Sequence, residues 1–174
     1  WQWDLTQIKA RNITDNVVEL MTGNIQRLAT TTQQVLTLAA AIGNQFDLAT
    51  LSVASQQSIE WVKTQLWAAL VDGLVVPGGG ETHKFVHDRV QQAAYSLIPK
   101  AERPGLHWQI GQLLLNRGQA VEEQLFKIVD HLNLGLDLAD TLLLKYQVAR
   151  LNLQAGQKAR AATAYQAAYN YLTV

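Results

Sequence analysis

The chain has 174 residues, of which 48% are hydrophobic, and its 14 basic residues balance its 14 acidic ones. This length allows one or two domains with a real core, and zero net charge gives no overall field to attract nucleic acid or an anionic membrane. The absence of cysteine excludes disulfides and thiolate metal sites and fits a cytoplasmic protein, and no apolar run is long enough to span a bilayer.

Two elements are expected before residue 29. The stretch WQWDLTQI (1–8) alternates bulky apolar and polar residues, which predicts a strand. Apolar residues then recur at helical spacing after Asp15, which we expect to be the N-cap of the first helix.

Three short helices are predicted next. Capping-box patterns at Thr30 and Thr31 should open the first of them, and Gly43 should end it. Asp47 and Ser58 precede the other two and are the expected N-caps.

The stretch LVVPGGGETHKFVHD (74–88) predicts two short strands around a glycine-rich turn. A helix over 88–99 should follow, with Asp88 as its cap in partnership with Gln91. Three helices followed by a hairpin are typical of a winged-helix domain.

Four helical segments separated by glycines or polar breaks follow Pro99 and Pro104. Gly156, Tyr165 and Ala168 keep the intervals of a tetratricopeptide repeat. The sequence therefore predicts a mainly α chain, with a winged-helix domain and short β hairpin followed by antiparallel, tetratricopeptide-like helical hairpins.

Several polar and aromatic residues of this helical region are candidates for contacts. His131 is expected to make a polar contact between helices. Four tyrosines at helical spacing favour packing in the repeat core, with a partner-binding groove as the alternative. These are Tyr146, Tyr165, Tyr169 and Tyr171.

The chain lacks the motifs of an enzyme. It has no phosphate-binding loop and no nucleophile elbow. His83 and His87 are poorly spaced as metal ligands, so no metal site is expected. The helix in the recognition position carries only Lys63 as a cation, which disfavours DNA binding. We therefore expect this segment to be non-catalytic.

The stretches HDRVQQAAYSLI (87–98) and RPGLHWQIGQLLL (103–115) resemble the signal-transduction ATPases with numerous domains, the STAND class of AAA-related proteins. The resemblance is strongest to large bacterial proteins that join a serine/threonine kinase, this ATPase and a two-component sensor histidine kinase. It implies that 1–28 is the tail of an ATPase module, 29–99 a winged-helix regulatory domain and 100–174 the start of a helical arm. The module with its phosphate loop, binding ADP or ATP with Mg²⁺, would lie upstream in a longer protein.

The same resemblance gives His87 a role. In that class a His-Asp pair opens the last winged-helix helix, and its histidine reaches the terminal phosphate of bound ADP in the resting state. Val86-His87-Asp88 stands at this place, with Val86 in place of the motif's methionine. The alternative is that Asp88 only caps the helix and His87 only fills a polar pocket.

Three functions are consistent with these observations. The first is a regulatory segment that senses the nucleotide through His87 and passes the state to a helical arm, a protein partner and a kinase output. The second is a protein-interaction scaffold whose winged helix is purely structural. The third is a DNA-binding winged helix, although neither nucleic acid nor membrane is an expected partner.

Overall fold

The structure is a computed structural model that describes residues 13–116 and 121–174. The fold is mainly helical with one small antiparallel sheet, as predicted. It divides into two compact units, one ending at Pro99 and the other beginning at Lys100. The strand predicted over 1–8 lies outside the described residues. No helix in the described ranges is long and apolar enough to cross a membrane.

Over residues 13–99, helices supply most of the first unit, together with three short strands. In chain order its elements are α1 (Ile13–Gln26), α2 (Thr30–Ile42), β1 (Gln45–Asp47), α3 (Leu48–Ser55), α4 (Ile59–Val71), β2 (Val75–Gly79), β3 (Thr82–Phe85) and α5 (Asp88–Ser96).

Two of the expected helix caps are confirmed. The backbone N–H of Thr50 donates to Asp47 Oδ1 at 2.6 Å, and that of Trp61 donates to Ser58 Oγ at 3.2 Å. Each bond satisfies an N–H that the first helical turn leaves without a partner. Gly43 ends α2 as predicted, with φ at 143°.

The caps expected for the first two helices are wrong. Asp15 lies inside α1, whereas an N-cap needs a non-helical backbone. At α2 no side chain caps the helix, and Thr30 is already its first residue. The Gln33 side chain donates instead to the carbonyl oxygens of Gln26 and Leu28, at 3.1 and 2.8 Å. The Gln33 side chain therefore binds carbonyl groups at the end of α1 and does not cap α2.

The sheet has the strand order β1-β3-β2, with both neighbours antiparallel to β3. The β2–β3 hairpin was predicted, whereas β1 was not. Gly80 and Glu81 form the turn of this hairpin, and Gly79, which ends β2, and Gly80 have positive φ, 102° and 59°. Pro77 is tolerated because β2 is an edge strand.

The core of the first unit lies between the sheet and the helices. Phe46 and Phe85, from neighbouring strands, are buried with their ring centroids 5.6 Å apart. Helix α5 packs on α1 and α2 and buries Val90, Ala93 and Ala94. It ends at Ser96, three residues before the predicted end at Pro99.

The second unit consists of helices joined by short connections. They are α6 (Arg103–Asn116), α7 (Val121–Leu134), a 3₁₀ turn (Leu136–Leu138), α8 (Leu142–Ala161) and α9 (Tyr165–Leu172). Helices α6 and α7 are antiparallel, because Gly135, just after α7, lies against Trp108 near the start of α6. Helices α8 and α9 approach closely at Gly156, where a Cβ atom would lie 2.6 Å from Leu172 Cγ.

The predicted division at 28 and 29 and the identity of each domain stay predictions. Helix α1, which was expected to close an ATPase module, packs mainly on α5 within the first unit.

Candidate functional site

The connection between β3 and α5 is held by hydrogen bonds at both ends. The N–H of Phe85 donates to the carbonyl oxygen of Asn44 at 3.0 Å, and that of Val86 donates to Leu74 at 3.1 Å. On the helix side, the Gln91 side chain donates to the carbonyl oxygen of Ala40 at 3.0 Å. His87 therefore sits between two fixed elements.

His87, and not Asp88, is the N-cap of α5. Its backbone is extended, with φ at −154° and ψ at 148°, and its Nδ1 atom accepts a hydrogen bond from the N–H of Arg89 at 3.1 Å. Asp88 is the first helical residue, so the cap predicted for it is one position too late. The Nδ1 lone pair of an imidazole can cap a helix because, like a carboxylate oxygen, it accepts a hydrogen bond from a backbone N–H of the first turn.

This bond fixes the chemistry that the neutral His87 ring offers. Because Nδ1 accepts, the ring proton lies on Nε2, which is a donor. The ring is exposed, and Nε2 has no hydrogen-bond partner among the described residues. A solvent-facing N–H at the positive end of a helix dipole suits an anionic oxygen.

The first backbone N–H groups of α5 are poor additional donors for an anion at this site, although they lie at a helix N-terminus. The N–H of Arg89 is bonded to His87 Nδ1, and those of Val90 and Gln91 are bonded to the His87 carbonyl oxygen at 2.9 and 3.4 Å. The helix dipole remains, but the N–H groups of these three residues are already bonded. The imidazole is therefore the donor on which the candidate site depends.

The two charged residues that follow His87 are of opposite sign. Asp88 is exposed in the first turn of α5. Arg89 Nη1 donates to Gln92 Oε1 at 2.7 Å, which holds the guanidinium along the helix.

His83 does not join His87 in a common site. Its ring stacks on Phe46, with the centroids 6.1 Å apart and the planes at 17°, and its Nδ1 atom is buried without a partner. Among the described residues, no three His, Cys, Asp or Glu side chains are placed to hold a metal ion.

Helix α4, which the winged-helix interpretation would place in the recognition position, presents little positive charge. Lys63 Nζ lies 4.0 Å from Glu81 Oε1, so its charge is partly offset. Trp67, on the same helix, is 68% exposed in the described structure.

Side-chain polar contacts join helices of the second unit. His107 Nδ1 and His131 Nδ1 are 2.9 Å apart in a buried contact between α6 and α7, so His131 makes the polar contact expected of it. Burial and the nearby Arg103 lower the pKa of His107 below its ordinary value of 6.5. Asn133 and Asn152 join α7 to α8 and were not singled out from the sequence.

The prediction that four tyrosines pack in the repeat core is wrong for three of them. Tyr146, Tyr165 and Tyr169 are each about two-thirds exposed. Tyr171 is partly buried: its hydroxyl donates to Asp130 Oδ1 at 2.8 Å, and its ring stacks on Phe126. Burial, and then this carboxylate, raise the pKa of Tyr171 to about 12.

Comparison with known proteins gives one distant relative to report. The chain is 27% identical, over an alignment of 228 residues, to the hybrid signal transduction histidine kinase G of Dictyostelium discoideum. The alignment covers the whole of this chain but only 7% of that protein's length. No protein-family profile matches the chain. No solved structure matches it either.

Proposed function

We propose that the chain is a non-catalytic regulatory segment of a larger signalling protein. In this proposal residues 29–99 of the first unit form a winged-helix domain that senses the nucleotide held by a neighbouring ATPase module of the same protein. The second unit begins a helical arm that meets a protein partner, and the output is a kinase. The similarity to a hybrid signal transduction histidine kinase supports the signalling context.

The arrangement of the first unit is consistent with this role. Helices α2, α3 and α4 followed by the β2–β3 hairpin support the winged-helix interpretation. The weak positive charge of α4 favours a regulatory domain over one that docks in a DNA groove.

The exposed, fixed imidazole of His87 carries the proposal. Its Nε2–H donor can meet the terminal phosphate of ADP, while ADP or ATP and Mg²⁺ are bound by the neighbouring module. A hydrogen bond to a charged group contributes about 1.5 to 3 kcal/mol. Such an energy shifts a two-state equilibrium about ten- to hundredfold, which suffices for a switch.

Chemical modification of histidine tests whether ADP covers this ring. The longer protein that contains the segment is treated with diethyl pyrocarbonate, and the modified positions are read by peptide mass spectrometry. His87 should react readily without nucleotide and with ATP, and should be protected by ADP. Buried His107 provides an internal reference of low reactivity. Equal modification of His87 with and without ADP would exclude the contact.

A further inference from the structure

Helix α8 carries an apolar stripe on a face that nothing in the described structure covers. Leu142, Tyr146 and Leu153 lie along one side of the helix, and their side chains are 84%, 67% and 50% exposed. The spacings of four and seven residues keep them on one face. The opposite face of α8 is buried, through residues such as Val148 and Ala155.

Positive charge surrounds this stripe. At about 100° of rotation per residue, Lys145 falls on one side of it and Arg150 on the other, while Arg160 continues it toward the C-terminal end. None of these three exposed side chains has a hydrogen-bond or ion-pair partner in the part of the chain that the structure describes. From Leu142 onward the sequence contains no acidic residue.

A cavity adjoins the stripe. It has a volume of about 370 Å³ and lies between α8 and the 3₁₀ turn, with Val148, Ala149 and Asn152 on one wall and Leu136 on another. Lys145 and Asp137 are also in its lining. The cavity can accept one large apolar side chain of a molecule lying along α8.

We propose that this face of α8 binds an amphipathic helix whose polar side is acidic. The leucines and Tyr146 would meet the partner's apolar face, one of its apolar side chains would fill the cavity, and its carboxylates would pair with Lys145, Arg150 and Arg160. This is the helix-in-groove mode of peptide recognition. Because Asp137 and Asp140 lie before the start of α8, the partner's most acidic end lies toward Arg160.

The composition of the face favours a peptide over nucleic acid. Nucleic-acid binding depends on many phosphate contacts, whereas three cations here flank a stripe made mainly of leucine. The proposal does not depend on the role of His87, so either can fail alone.

The experiment is a fluorescence anisotropy titration of the 174-residue chain. The probe is a fluorescein-labelled designed helix with leucine on one face and glutamate on the other, and the control probe carries lysine in place of glutamate. The acidic probe should bind at least tenfold more tightly than the basic one, because its carboxylates meet unpaired cations.

Substitutions then locate the binding. The pair Leu142→Ser and Leu153→Ser should weaken the acidic probe at least tenfold, and the pair Arg150→Glu and Arg160→Glu should reverse the preference between probes. Trp67→Ser removes an equally exposed apolar side chain from the first unit and should leave binding unchanged. Circular dichroism confirms that each variant is folded.

Four results would overturn the proposal. They are equal affinity for both probes, no saturable binding of the acidic probe, tighter binding of a single-stranded oligonucleotide than of the acidic probe, and self-association of the chain that the leucine substitutions abolish.

Discussion

The side-chain amides of Asn133 and Asn152 exchange two hydrogen bonds between α7 and α8, at 2.9 and 2.8 Å. Asn152 is buried and also donates to the carbonyl oxygen of Val148 at 3.1 Å. Each amide supplies the donor and the acceptor that the other needs, so the pair fixes the register of the two helices.

Asn152→Ala should destabilise the second unit by about 1 to 3 kcal/mol, because it leaves the Asn133 amide without its partner. Replacing both residues with leucine should cost less than the sum of the single changes Asn133→Leu and Asn152→Leu, since no polar group is then stranded. Urea denaturation of the four proteins in this cycle measures the difference. Strict additivity would show that the two amides do not interact.

The His107–His131 contact predicts that acid destabilises the second unit. A 2.9 Å contact between two Nδ1 atoms needs one donor and one acceptor, and protonating both rings would set two N–H groups against each other. The pKa of His107 is lowered by burial and by Arg103, so the unfolded chain binds its proton first. Stability should therefore be complete above the ordinary value of 6.5 and should fall as the pH drops from there toward the lowered pKa.

The urea midpoint, measured over a range of pH for the native chain and for His107→Gln, tests whether acid lowers the stability. The variant should show a smaller loss of stability on acidification, whatever its stability at neutral pH. A loss of the same size in both proteins would assign the acid sensitivity to other groups.

Two glycines of the second unit should respond to alanine in opposite directions. At Gly135 a Cβ atom would lie 2.6 Å from the Pro104 carbonyl oxygen and 2.6 Å from Trp108 Cβ, so α6 and α7 would have to separate. Gly135→Ala should destabilise by about 1 to 3 kcal/mol through overpacking. Gly105, inside α6, has nothing within 4 Å of its Cβ position, and Gly105→Ala should stabilise by about 0.5 kcal/mol.

Thermal unfolding followed by circular dichroism measures both glycine variants. A stable Gly135→Ala protein would mean that the helices approach less closely there than the structure shows.

Local signals in the sequence predicted many of the elements and some of their ends. Asp47, Ser58 and Gly43 act through bonds within one helical turn, so their roles can be read from neighbouring residues. The signal for the turn between β2 and β3 is equally local, because glycine is the residue that most readily adopts the positive φ found at Gly79 and Gly80. Strand β1 has three residues and exists because it pairs with β3, far along the chain, so no local pattern marks it.

The errors at the caps and tyrosines have the same physical origin. Gln33 turned from the capping box to the end of the preceding helix, which depends on how α1 and α2 are joined. Helical spacing placed Tyr165 and Tyr169 on one face of a helix but could not decide whether that face points inward. Sequence position and residue type were enough to single out His87 as a candidate site residue. The hydrogen bond from the Arg89 N–H to its Nδ1 atom is seen only in the structure.

The most direct test of whether His87 contacts ADP is the dissociation constant for ADP of the longer protein that contains this segment. It is measured for the native protein, for His87→Ala and for His87→Gln, whose side-chain amide retains a donor. We expect about ten- to hundredfold weaker ADP binding for His87→Ala. His87→Gln should recover part of the ADP affinity, and ATP binding should change little in either variant. Equal ADP affinities of the native protein and His87→Ala would contradict this expectation.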